Sequence, residues 1–240
     1  MLILAALLIG VSKAGFGGGT GFLVGPLLVL VFPAKECVGL MLPLLLVCDA
    51  MCLIPYWRQW DTMNVLILLP GAALGVVLGT LLLDAVSNTM LARGMGLFAI
   101  GFALLQAYRE WHAHAATILT PDWWPGSLVG ASTGFVSTVS HMGGVITVMY
   151  LLPQRLENAR FVGTTTAIYF LLNTLKVPAY WQIGVLDVSL IWRDVPLIPV
   201  VILGTALGVY LNRRISSTLF SRVILVTVLL TGVHLLLTYG

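Results

Sequence analysis

Long hydrophobic runs separated by short polar breaks dominate the chain. Eight apolar segments can be read, at about residues 2–32, 36–57, 62–83, 88–108, 124–152, 159–181, 190–211 and 217–237. Apart from segments one and five, which are too long for a simple span, each has about the length that a helix needs to cross roughly 30 Å of hydrocarbon. The sequence lacks the alternating polarity of a membrane β-barrel, which leaves helices as the spanning form. The pattern predicts an all-α polytopic membrane protein.

Segments one and five differ from the others because clustered glycines interrupt them. The first contains KAGFGGGTG at 13–21, and the fifth contains STVSHMGG at 137–144. A glycine costs about 1 kcal/mol in a helix interior, and freed backbone at membrane depth is tolerated only where protein or a cavity surrounds it. We therefore expect both segments to be broken or re-entrant helices, and we favour broken helices that cross fully.

The two halves of the chain match one another. A shift of 124 places Val38-Gly39 on Val162-Gly163 and Asp49 on Asn173, and a slightly larger shift lays PGAALGVVLGT (70–80) over PVVILGTALGV (199–209). We predict two transmembrane repeats of four segments each, at 1–108 and 124–240, joined by a loop at 109–123. Four full spans per repeat would make the halves parallel, whereas three spans and a re-entrant segment would make them inverted.

Composition and charge narrow the class further. Hydrophobic residues make up 59% of the chain and charged residues only 9%, whereas a soluble domain carries about 25% charged residues. The basic residues are scattered, which excludes a nucleic-acid interface. Cys37, Cys48 and Cys52 form no C-x-x-C pair, so we expect buried small side chains rather than metal ligands or a disulfide. No metal and no cofactor are predicted.

The distribution of Lys and Arg suggests an orientation. Apart from Lys13, which lies inside an apolar segment, these residues divide seven to four between the two sides, whether segments one and five cross or re-enter, and Lys176 is counted in the group of four. The positive-inside rule then places both termini outside the cytoplasm. The first segment lacks the features of a cleaved signal peptide and is taken as a membrane segment.

Interrupted helices suggest an anion site. A helix that starts inside the membrane presents unpaired N–H groups and the positive end of its dipole. Here the second halves of the broken helices would begin near Gly19-Thr20-Gly21 and near Gly144-Val145. If they face one another at the midplane, they would form a small cavity suited to an anion.

Two charges lie inside apolar segments. Lys13 lies beside the first glycine run, where a lysine at membrane depth indicates function; alternatively, its side chain snorkels to the interface. Asp49 lies alone between Glu36 and Arg58. It could load and release a proton, which would suit proton-coupled transport, or it could form a structural pair with Lys13 or a buried hydrogen bond.

Polar side chains near the second break could complete the cavity. Ser137, Ser140 and His141 lie in the break, and Thr164 and Thr165 lie in the next segment. Hydroxyls can donate to an oxyanion without adding a fixed charge. Each of these serines and threonines could equally be a helix-packing residue, and His141 could sense protons or bond a freed carbonyl.

The glycine motifs resemble those of a known family. K-A-G-F-G-G-G at 13–19, S-T-V-S-H-M-G-G at 137–144 and V-G-T-T-T-A-I-Y-F-L-L-N at 162–173 resemble the TauE/SafE sulfite-exporter family over nearly the whole chain. The resemblance implies a multi-pass protein of the bacterial inner membrane that transports sulfur oxyanions or organosulfonates, such as sulfite or sulfoacetate. The second motif has His141-Met142 before its glycine pair, so the two half-sites need not be equivalent.

By position, the resemblance adds residues from both motifs to the site. The predicted substrate-binding residues are Lys13, Gly17, Gly18, Gly19, Thr20, Ser137, Ser140, His141, Gly143, Gly144, Thr164, Thr165 and Asn173, with Asp49 as the candidate for proton coupling.

The leading functional hypothesis is secondary transport of a small anion. The chain has no Walker-type loop, so an ion gradient would supply the energy. A membrane-embedded enzyme is the second hypothesis, but no G-x-S-x-G or H-E-x-x-H motif supports it; a non-transporting assembly subunit is the third. The predicted partners are the anion and the lipid bilayer, and the LGTALG run at 203–208 could pack within the chain or form a homodimer.

Overall fold

The computed structural model describes residues 2–16, 24–111, 120–212 and 217–239. Within these ranges the chain is helical and contains no strand. The helices are α1 (Leu2–Phe16), α2 (Val24–Val29), α3 (Ala34–Leu53), α4 (Thr62–Ala85), α5 (Asn88–Trp111), α6 (Trp123–Ser140), α7 (Gly144–Leu151), α8 (Asn158–Gln182), α9 (Val188–Asp194), α10 (Ile198–Asn212) and α11 (Ser217–Tyr239).

Length and composition identify membrane-spanning helices in the described residues. Four stretches are long and apolar enough to cross a bilayer: Ala34–Tyr56, Thr62–Ala85, Asn88–Leu105 and Val188–Gly208. The predicted all-α polytopic membrane fold is therefore confirmed. Most of the predicted inter-repeat loop lies outside the described residues, between the end of α5 and the start of α6.

Aspartate side chains cap the N-termini of several helices. The Asp61 carboxylate accepts the backbone N–H of Asn64 at 2.9 Å and so caps α4, and Asp187 caps α9 through the N–H of Leu190 at 2.9 Å. Such caps satisfy N–H groups that have no partner within the helix. The Ser189 hydroxyl and the Leu190 N–H hold the pKa of the Asp187 carboxyl below its usual value. These caps fix the residues at which α4 and α9 begin.

Helices α6 and α7 form a re-entrant hairpin. Helix α6 ends at His141, whose backbone is left-handed with φ 57°. The chain then reverses, so that the Thr133 and Thr147 hydroxyls lie 3.2 Å apart. Gln154, just after α7, accepts through its Oε1 from the Asn64 side-chain amide at 2.8 Å, beside the start of α4. Segment five thus returns to the side from which it came, which differs from the full crossing that we favoured.

Glycines allow helices from the two halves of the chain to pack closely. A Cβ atom added at Gly71 would lie 2.0 Å from the Ser127 carbonyl oxygen, and one at Gly75 would lie 2.1 Å from that of Ala131. From the first contact to the second, the residue number rises by four on each helix, so α4 and α6 are parallel neighbours. Gly204 packs in the same way against Leu7 of α1, so this part of the LGTALG run packs within the chain.

Helices α3 and α8 run antiparallel through the centre of the molecule. Near the start of α3, a Cβ atom added at Gly39 would lie 2.1 Å from the carbonyl oxygen of Val185, just after α8 ends. At the other end, Gly163 near the start of α8 packs against the backbone of Gln59, which follows α3. Residues near the middle of both helices therefore face one another, and the buried polar residues lie there.

Candidate anion-binding site

Asp49 lies at the centre of a buried polar cluster. Its carboxylate pairs through Oδ1 with the Lys13 ammonium group of α1. Its Oδ2 accepts from the Asn173 side-chain amide of α8 at 2.7 Å. Asp49 is only 1% exposed and the Lys13 side chain 9%, so both charges are almost completely removed from water. The structural pair that we considered for Asp49 is present, and Lys13 does not snorkel to the interface.

Lys176 is the cluster residue that the sequence analysis missed. It lies on α8, one helical turn after Asn173, and is fully buried rather than part of a loop. Its Nζ donates to the Asn173 carbonyl oxygen at 3.0 Å and to the Ser137 backbone oxygen at 2.9 Å, and lies 2.7 Å from the Ser137 hydroxyl. The signal in the sequence was its position inside an apolar segment, three residues from a predicted site residue.

The contacts of His141 limit its protonation. Nε2 lies 2.9 Å from the Val38 carbonyl oxygen, which can only accept, so Nε2 carries the proton. Nδ1 lies 3.3 Å from the Lys176 Nζ, and a hydrogen bond between two nitrogen atoms needs one proton between them. That proton belongs either to His141 or to Lys176.

The same count of donors gives the charge of the Lys176–His141 pair. The Lys176 Nζ donates one proton to the Ser137 backbone oxygen and one to the Asn173 Oδ1. With a third proton between Nζ and the His141 Nδ1, the pair carries one positive charge, whichever of the two nitrogen atoms holds that proton. The cluster then contains two positive charges, on Lys13 and on the Lys176–His141 pair, and one carboxylate.

A small cavity adjoins this cluster. Its volume is about 20 Å³, which is room for about one water molecule. Gly144 contributes the first turn of α7, where N–H groups lack helical partners, and the Tyr169 hydroxyl braces this turn by donating to the Gly144 oxygen at 2.8 Å. An oxyanion would fit only after the cavity widens. The lining residues are Lys13, Leu45, Ser137, His141, Gly144, Tyr169 and Asn173.

Comparison with known families gives a match over almost the whole chain. Residues 2–235 match the family model described as sulfite exporter TauE/SafE. The chain belongs to this family. Searches of curated proteins and of solved structures found no match. Membership in TauE/SafE, a transporter family, confirms the predicted resemblance and the multi-pass membrane location.

The remaining predicted residues of this TauE/SafE chain lie away from the cavity or outside the described residues. Thr164 donates to the Arg160 carbonyl oxygen at 2.6 Å and accepts the Asp61 N–H at 2.8 Å, near the end of α3. The hydroxyls of Thr165 and Ser140 donate to carbonyl oxygens of their own helices. Gly143 packs against the Thr133 carbonyl oxygen inside the hairpin. The first-motif residues Gly17, Gly18, Gly19 and Thr20 lie outside the described ranges.

Proposed function

We propose that this TauE/SafE protein is a secondary-active transporter of a sulfur oxyanion or organosulfonate, which binds beside Lys13, Lys176 and the start of α7. One observation carries the proposal. Two buried positive charges, one on Lys13 and one on the Lys176–His141 pair, are balanced by a single carboxylate, Asp49. Removing an ion from water costs several kcal/mol unless a counter-charge compensates, so an anion entering the cavity would supply the charge that the cluster lacks.

The donors around the cavity suit an oxyanion. Lys13 of α1 and Asn173 of α8 line the cavity with an ammonium group and an amide. The first turn of α7 adds backbone N–H groups and the positive end of a helix dipole. Hydrogen bonds from charged donors to anionic oxygens are about twice as strong as neutral ones. The arrangement therefore offers several donors to one small group of oxygens.

The layout of the helices supports transport by an inverted repeat. Helices α3 and α8 are antiparallel, and Asp49 and Asn173, which are 124 residues apart, contact each other at 2.7 Å. Such contact between equivalent positions is expected where a two-fold axis in the membrane plane passes between them. In transporters of this kind the substrate lies near the midplane, where broken helices of the two halves meet. Two repeats with re-entrant first segments are thus our proposal for this chain.

Proton coupling through Asp49 is part of the proposal. Asp49 is the acidic member of the cluster and joins Lys13 to Asn173. We expect Asp49 to bind a proton after the anion has left and to release it before the next anion enters, so that the anion always meets the ionised carboxylate. A proton and an anion would then exchange across the membrane.

Uptake of ³⁵S-labelled sulfite and ethanesulfonate into proteoliposomes tests the proposal. We expect uptake by the wild-type protein and its loss in Lys13→Ala with folding intact. Lys35→Met provides a matched control, because Lys35 contacts the backbone oxygen of Asp84 near the surface and should keep wild-type uptake. Absence of uptake by the wild-type protein under an imposed proton gradient in either direction would overturn the proposal and favour an assembly subunit or an enzyme.

A further inference from the structure

We propose that the buried cluster selects its substrate by net charge, accepting one negative charge, and that Asp49 is the residue that determines this preference. The inference rests on the proposed function of the same site. It adds a selection rule for substrates: a sulfonate with one charge should bind better than one that also carries a carboxylate.

The charges of the cluster beside the cavity give the rule. Lys13 contributes one positive charge, the Lys176–His141 pair contributes another, and Asp49 contributes one negative charge. Tyr169 donates its hydroxyl proton to the Gly144 oxygen and is neutral. The sum over the described residues that line or support the cavity is one positive charge.

The other acidic residues at the two ends of α3 are paired elsewhere. Glu36 at the start of α3 accepts from Arg193 at 2.7 Å. Asp61, beyond the end of α3, accepts from Arg160 at 2.8 Å. Both pairs lie towards the ends of the helices, so the balance within the buried cluster is set by its own members.

A buried site penalises any charge that is left without a partner. A monoanion neutralises the single excess charge, whereas a dianion brings a second negative charge that has no cation to meet it. Two unit charges about 8 Å apart, at an effective dielectric constant of about 20, change a binding constant by roughly thirtyfold. This is the scale of discrimination that one charge in the cluster can provide.

Asp49 and Lys176 make this balance adjustable. Asn173 lies between them, donating to Asp49 through its Nδ2 and accepting from Lys176 through its Oδ1. Asp49→Asn keeps the shape of the side chain and raises the net charge of the cluster to two. Lys176→Met nearly keeps the volume of the side chain and lowers the net charge to zero. The two variants should therefore move charge preference in opposite directions.

Competition binding tests the inference. ³⁵S-labelled ethanesulfonate is bound to purified protein in detergent near neutral pH and displaced by unlabelled ethanesulfonate or sulfoacetate. Each competitor carries one sulfonate, and sulfoacetate adds an ionised carboxylate. We expect wild-type protein to prefer ethanesulfonate. Asp49→Asn should raise the affinity for sulfoacetate relative to ethanesulfonate by about thirtyfold, and Lys176→Met should lower it.

Asp194→Asn is the matched control. Asp194 is a second buried carboxylate, and neither of its oxygens has a hydrogen-bond partner. It makes none of the contacts of the cluster, so the same isosteric change should leave the ratio of affinities unaltered.

The outcomes separate the two proposals. If wild-type protein binds neither sulfonate, the proposed function fails. If it binds ethanesulfonate but prefers sulfoacetate, or if the ratio moves in neither folded variant, the charge rule fails while the function stands. Thermal unfolding in detergent identifies a variant that does not fold; the other variant then decides, because its predicted shift has the opposite sign.

Discussion

Asn173 organises the buried cluster because the two ends of its amide are chemically different. Its NH₂ group donates to the Asp49 carboxylate, and its carbonyl oxygen accepts from the Lys176 Nζ. A side chain with two acceptors would repel Asp49, and one with two donors would repel Lys176. A neutral amide therefore joins a carboxylate to a cation without cancelling either charge.

The first residue-scale prediction concerns Lys176. In Lys176→Met the volume is nearly kept, but the Ser137 oxygen, the Asn173 Oδ1 and the His141 Nδ1 lose their donor. Each buried acceptor left unsatisfied costs about 1–3 kcal/mol, and the cluster loses the charge that an anion would neutralise. We expect sulfonate uptake into proteoliposomes to fall by at least about a hundredfold. Uptake within twofold of wild type, in a folded variant, would remove Lys176 from the site.

The second residue-scale prediction concerns Asp49 and pH. If Asp49 exchanges protons during transport, Asp49→Asn should flatten the pH dependence of uptake of ethanesulfonate, which keeps a single charge across the pH range. Initial rates between about pH 5 and 8 measure this. Asp84→Asn, at an exposed carboxylate near the end of α4, serves as the control and should retain the wild-type profile. An unaltered profile in Asp49→Asn would show that another group carries the proton.

At the scale of helices, the position of the re-entrant hairpin depends on bare backbone contacts. Gly71 and Gly75 of α4 lie against carbonyl oxygens of α6, and Gly134 of α6 lies against that of Ala72. Packing of this kind holds helices together in membranes, where burial of apolar surface gives little drive. The depth of Ser137 and His141, and hence the site, depends on it.

A pair of glycine substitutions tests this packing. In Gly134→Ala the new Cβ atom would lie 2.1 Å from the Ala72 oxygen, so the helices must separate at a cost of about 1–3 kcal/mol. We expect the midpoint of thermal unfolding in detergent to fall by roughly 2–12 °C. Gly94→Ala is the control, because nothing lies within 4 Å of its added Cβ atom, and it should unfold at or slightly above the wild-type temperature. Equal midpoints for the two variants would contradict the tight packing of α4 on α6.

At the scale of the whole molecule, the sequence predicted the helical membrane fold but not the path of the chain. Segment lengths and composition were sufficient for the spanning helices. The reversal after α6 depends on the left-handed backbone at His141, which a pattern of hydrophobic positions does not encode. Lys176 was missed because its partner Ser137 lies 39 residues away on another helix. Asp49 and Lys13 were found because an isolated charge in an apolar run is visible locally.

Two ion pairs join the halves of the molecule at opposite ends of α3. Glu36 at its start binds Arg193 at 2.7 Å, and Asp61 beyond its end binds Arg160 at 2.8 Å. In each pair, one residue belongs to the first half of the chain and the other to the second. Motion of one half against the other would therefore open one pair at a time, as alternating access requires.

Loss of one pair should bias the protein towards opening at that end. A cysteine in place of Leu45, which lines the cavity, reports access through its rate of labelling by a membrane-impermeant maleimide from either side of oriented vesicles. The buried native cysteines provide the background, measured in the parent protein.

Partly exposed ion pairs contribute about 0.2–1 kcal/mol, so Asp61→Asn should increase labelling from its own side by roughly 1.4- to fivefold. Glu36→Gln should do the same from the opposite side, and Lys35→Met, whose contact stays within the first half, should change neither. If both carboxylate variants increased labelling from the same side, the two ion pairs would not control openings on opposite sides, although they lie at opposite ends of one helix.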